Sequence, residues 1–141
     1  MSNKLDPQDT RIVGILGGTV IPDVNTKTLN RYLLYLKEHL QSPCHLTGME
    51  DFPWEEKYVF GYGSEDEYEE LKKTKASYTD EFLLLKLEDD PSDFYGIMAK
   101  VRRLSDQKQF TLPLADLEAT SEKSPNYELL DDYSVWFVNY R

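Results

Sequence analysis

The sequence predicts an α+β fold: a small SH3-like antiparallel barrel or bent sheet, flanked by an N-terminal helix and a C-terminal aromatic helix. Three observations predict it. Leu29, Tyr32, Leu33, Leu36 and Leu40 recur at helical spacing and form one apolar stripe. Tyr95–Leu104 alternates with period two, with Ile97, Ala99 and Val101 on one face and Met98, Lys100 and Arg102 on the other. Leu129, Tyr133, Trp136, Phe137 and Tyr140 return to helical spacing near the end.

In chain order, residues 1–10 are polar and read as a flexible N-terminus, and 11–141 as a single domain with an acidic middle segment, 50–93. Arg11–Ile21 is apolar but broken by Gly14, Gly17 and Gly18, which suits a short buried strand or helical turn. The glycine spacing fails the dinucleotide pattern, and no phosphate-binding lysine follows. Asn25 or Thr26 caps the helix over 27–40, and Ser42-Pro43 ends it. Cys44–Met49, Lys57–Tyr62 and Phe82–Leu87 are short apolar or aromatic runs that read as strands. Ser105-Asp106-Gln107 forms a turn, Gln109–Leu112 pairs back, and Pro113 stops the ladder. Ser124-Pro125 then reads as a cap followed by proline in the first helical turn.

The net charge of −10 is concentrated in one stretch. Glu50–Asp93 holds fifteen acidic residues and five lysines, while the remainder balances eleven against eleven. Such a surface repels phosphate backbones and anionic membranes and attracts cations or basic proteins, so neither nucleic acid nor membrane is an expected partner. No apolar run approaches the ~20 residues of a membrane span. The opening residues lack a signal peptide's apolar stretch, and Cys44 has no cysteine to pair with, so a cytoplasmic location is expected.

No catalytic role is expected. His45 and Cys44 are adjacent on a predicted strand and point to opposite faces, and nothing pairs His39 with either. One cysteine and two histidines also lack structural zinc spacing. The carboxylates remain, in three clusters: Glu50-Asp51 with Glu55-Glu56; Glu65-Asp66-Glu67 with Glu69-Glu70; and Glu88-Asp89-Asp90 with Asp93. Calcium takes six to eight oxygen ligands, and crowded carboxylates on a turn supply them. None of the clusters is an EF-hand loop. Asp89-Asp90-Pro91-Ser92-Asp93 comes nearest, but Pro91 breaks the alternation and no glutamate closes the loop.

The candidate ligands are Glu65, Asp66, Glu67, Glu69 and Glu70, after a turn permitted by Gly61 and Gly63, with Asp89, Asp90 and Asp93 as a second group bent by Pro91. Asp131 and Asp132 are auxiliary candidates. The competing structural reading makes Glu65–Lys75 a solvated helix with Glu–Lys pairs such as Glu69 with Lys73. Interleaved aromatics, Trp54, Tyr58, Tyr62 and Tyr68, also suit an acidic module, of immunity or inhibitor type, that docks a basic protein.

Three segments resemble a known family. Tyr32–Pro43 looks like the aromatic helix and Leu-x-x-Pro exit of the cyanobacterial calcium-binding (CcbP-like) proteins. Phe110–Glu118 resembles that family's strand and Pro-Leu-x-x-Leu-Glu turn, and Asp131–Phe137 is similar to its closing acidic-aromatic segment. The pieces occur in the family's order and cover roughly residues 30–43 and 95–138. The resemblance implies a small barrel flanked by helices, calcium binding by surface carboxylates without EF-hands, and a role in buffering or signalling. The 50–93 stretch departs from the family pattern in being longer and more acidic, so the resemblance assigns no ligand there.

Overall fold

The computed structural model describes residues 5–141. Helix α1 spans Pro7–Leu16, so it begins within the 1–10 stretch expected to be flexible; residues 1–4 lie outside the described residues. The physical reason is local. Asp6 accepts from Asp9 N at 2.7 Å, and Pro7 occupies the first turn, where its missing N–H costs nothing. Gly17, at φ 86°, ends the helix.

Helix α2, Thr26–His39, is held at its start by a reciprocal cap. Thr28 N donates to the Asn25 side chain, and Asn25 N donates to the Thr28 hydroxyl. Its predicted stripe is the buried face: Leu29, Tyr32, Leu33 and Leu36.

Five antiparallel strands follow: β1 His45–Gly48, β2 Phe82–Leu87, β3 Met98–Arg103, β4 Gln109–Pro113 and β5 Leu117–Ala119. Their order is β4-β3-β2-β1-β5. Ala99 and Val101 on β3 are buried, as the alternation predicts. The sheet is open, not closed into a barrel, and β4 and β5 form its two edges. A 3-10 turn, Leu114–Asp116, separates these edge strands, and Pro113 cannot donate to a closing ladder.

The Lys57–Tyr62 run is not a strand. Pro53–Glu55 forms a 3-10 turn that continues into a one-turn helix, α3, Glu56–Val59. Trp54 and Tyr58 stand four residues apart on it and meet edge to face, 6.2 Å between centroids. Helix α4 is Glu65–Lys72.

The closing helix, α5, is Tyr127–Asn139, two residues later than Ser124-Pro125 suggests. Asn126 precedes it, and its amide bonds N and O of Gln41, tying the helix start to the exit of α2. Tyr133, Trp136 and Phe137 pack with Tyr32 in one aromatic cluster under the sheet, and the Tyr133 hydroxyl accepts from Ile97 N at 2.9 Å. Among the described residues no helix is long and apolar enough to cross a membrane.

Candidate functional site

The acidic middle segment is shaped by two residues it contains or touches, Glu55 and Arg103. Glu55 is fully buried, so the first acidic cluster is not a uniform surface patch. One carboxylate oxygen accepts from Phe52 N at 3.2 Å and Tyr78 N at 2.9 Å; the other accepts from the Tyr68 hydroxyl at 2.9 Å and from Ser77 Oγ. Four donors converge on it, which offsets the cost of burial. Burial and this bond push the Tyr68 hydroxyl up to about 12. A sequence signal for Glu55 was present: Pro53 opens a helical turn, and a glutamate two residues later can reach back to the free amide of Phe52.

Arg103 is also buried. Its guanidinium donates to the Lys72, Lys73 and Lys75 carbonyls at 2.9–3.1 Å, to Asp80 at 2.9 Å and to Asp106 at 2.8 and 3.0 Å. It therefore caps the C-terminal end of α4 with a cation, where the helix dipole favours one.

Between these anchors lies the first group of candidate ligands. Glu65, Asp66, Glu67, Glu69 and Glu70 stand on a helix, not on a turn. Ser64 accepts from Glu67 N, and three acids in the first turn meet the positive end of the helix. Gly61, at φ 84°, provides the expected turn before this group. Tyr68 and Leu71 face inward and the acids are exposed. Glu69 pairs with Lys72 at 3.3 Å and Glu70 with Lys73 at 2.9 Å, so the helix pairs are three residues apart and Glu69 does not pair with Lys73. Glu65, Asp66 and Glu67 make no ion pair among the described residues.

The second group lies in the β2–β3 connection. Asp90 takes a left-handed conformation, φ 55°, which turns the chain. Asp89 is paired with Lys37 of α2, whose contact holds its carboxyl below the ordinary aspartate value. Asp93 accepts from the Thr26 hydroxyl at 3.2 Å. Phe94 N and Tyr95 N donate to Ser92 Oγ, closing the loop.

The auxiliary pair sits elsewhere, on α5. Asp132 is 1% exposed and receives a two-pronged bond from Arg11, at 2.7 and 2.9 Å. Gln8 bridges Asp132 and Asp131 at 3.0 Å each. Asp132 thus clamps α1 onto α5, and its oxygens are already occupied. Among the described residues, no group of three or more His, Cys, Asp or Glu side chains is gathered as for a metal ion.

Cys44 is buried, and burial pushes its thiol up to about 11, so it is not a thiolate at neutral pH. His39 stacks on Tyr35 of the same helix, 3.9 Å between centroids, with Nδ1 2.8 Å from the Tyr35 carbonyl. Of the docking aromatics, Trp54, Tyr58 and Tyr68 pack on one another, and Tyr62 alone is freely exposed.

No protein-family model matches the chain, and no curated protein matches it by sequence. A solved structure does match it: the crystal structure of Anabaena CcbP, at TM-score 0.58 and 13% identity, covering 99% of this chain and 97% of that one. The likeness spans both segment groups that resemble the family and the acidic stretch between them. The chain has the CcbP fold.

Proposed function

We propose that this protein binds calcium through exposed carboxylates of its acidic segment, without an EF-hand and without catalysing a reaction. The observation that carries the reading is the shared fold with CcbP along nearly the whole chain, joined to the family resemblance of its terminal segments. The donor chemistry fits a hard cation. Glu65, Asp66 and Glu67 crowd the first turn of α4 with unpaired oxygens, and the loop of Asp89, Asp90 and Asp93 adds carboxylates on a tight turn. Glu69 and Glu70 complete the helix group by exchanging their lysine partners for the metal. Asp131 has one partner, Gln8, and remains a peripheral candidate, whereas Asp132 serves the Arg11 clamp.

Calcium at ~100 times its dissociation constant stabilises the folded state by about 2.7 kcal/mol. For a domain of this size the melting temperature is expected to rise by roughly 5–10 °C. The check is a thermal melt of chelator-treated protein, with and without millimolar calcium, in physiological salt and excess magnesium. An unchanged melt rejects the reading. The ligand assignment is checked separately by calorimetric titration. Amide replacement of Glu65, Asp66 and Glu67, or of Asp89, Asp90 and Asp93, is expected to weaken binding at least fivefold more than the same change at Asp6, Asp9 and Asp23. Equal small losses from all three sets would mean diffuse attraction without a site.

A further inference from the structure

Two cavities, about 420 and 390 Å³, share Phe52, Pro53 and Asp116 in their walls, so they adjoin across these residues as one grooved surface. The groove follows the end of β4 and the 3-10 turn after it, through Phe110–Pro113, Ala115 and Asp116. Its two halves differ in chemistry. The first has an apolar floor of Ala115, Val135 and Val138 and carries Glu50 and Asp51 beside Asp116. The second is lined by Trp54, Tyr95, Phe110 and Leu112.

The acidic half lacks a counter-charge. Among the described residues, Glu50, Asp51 and Asp116 enter no ion pair, and the Asp116 carboxylate accepts no hydrogen bond. Asp116 is half-buried, and burial and the neighbouring Glu50 both raise its pKa, so an approaching cation relieves existing repulsion. Lys75 lines only the aromatic half, over the Trp54 ring. The walls are held in place: Met49 N donates to the Asp116 carbonyl at 3.0 Å, Ser134 Oγ to the Ala115 carbonyl at 2.9 Å, and Trp54 Nε1 to the Ala76 carbonyl at 2.7 Å. A preformed groove avoids much of the ordering cost of binding.

We propose that this groove binds a short extended segment of a partner protein that places an apolar side chain in the aromatic half and an adjacent arginine or lysine at Glu50, Asp51 and Asp116. Charge complementarity selects the occupant: apolar burial supplies affinity, and the unpaired carboxylates reject acidic segments. The proposal does not depend on calcium.

The test uses the full chain in chelator and end-capped hexapeptides that pair Phe or Leu with Arg at spacings of one to three residues, with Glu-for-Arg controls. Backbone and indole NMR shifts follow binding. At least one arginine peptide is expected to bind saturably, with the largest shifts at Phe52, Asp116 and the Trp54 indole. Asp116→Asn, which removes no hydrogen bond within the chain, is expected to weaken it at least fivefold, and Tyr95→Ser likewise. The Glu control is expected to be at least tenfold weaker. The proposal is overturned by absence of saturable binding at millimolar peptide, by shifts centred on α4, or by both variants binding as tightly as the unaltered chain. Dilution-dependent shifts at the groove without peptide would instead assign it to a second copy of this chain. Calcium shifting Asp116 and displacing the peptide would assign it to the metal, and either result overturns the peptide reading.

Discussion

Glu55→Ala is expected to destabilise the protein by about 4 kcal/mol, because several buried donors lose their acceptor together. The Phe52 and Tyr78 amides and the Tyr68 and Ser77 hydroxyls all bond to this one side chain. At this chain length the melting temperature should drop by roughly 10–15 °C. Glu55→Gln separates the carboxylate from mere shape. Its amide oxygen can face the two backbone donors, and its NH₂ can face the two hydroxyls, which rotate to accept. The loss is then expected to be about 1–2 kcal/mol. Denaturant unfolding of both variants checks this, and an alanine loss below 1 kcal/mol would show that the convergence contributes little. Because Tyr68 lies on α4, the alanine variant should also loosen the acidic helix, visible as faster amide exchange there.

Arg103→Met carries the second large effect, about 3–5 kcal/mol. Methionine fills part of the space but leaves the Lys72, Lys73 and Lys75 carbonyls and the Asp80 carboxylate without their common donor. Arg103→Lys should recover little, since one ammonium cannot reproduce a planar fork that reaches five residues. The variant also predicts a pH signature. The Arg103 bond, ahead of any other cause, holds the Asp106 carboxyl down to about 2, below its unfolded value near 4. A depressed folded pKa stabilises the protein above the unfolded value, and that contribution is lost as pH falls through the folded one. The stability gap between wild type and Arg103→Met should therefore narrow between about pH 4 and pH 2. A gap that is constant across that window would mean that Asp106 gains nothing from Arg103.

These two anchors show where sequence reasoning reaches its limit. Glu55 sits in the chain beside Glu56, and only its spacing from Phe52 and Pro53 sets it apart. One is fully buried and the other exposed, because Tyr68, Ser77 and Tyr78 arrive from later in the chain. Arg103 occupies a strand position whose alternation says only that it faces inward with Val101. Its role appears once the end of α4 is brought over it.

The sequence by itself determined the α+β class, the α2 stripe, the β3–β4 hairpin and the aromatic character of α5, because each is written in a local period of 3.6 or 2. It also determined the concentration of charge between Glu50 and Asp93. Only the tertiary structure decided that the sheet stays open, that Lys57–Val59 lie in a helical turn and not in a strand, and that Glu65–Glu70 radiate from a helix. Only the fold brought Asp116 between two cavities and committed Asp132 to Arg11. The physical reason is the same throughout. A periodic pattern specifies which face of an element turns inward, whereas the partner of a charge is chosen by contacts distant in sequence, and burial then decides whether that charge anchors the fold or remains free to bind.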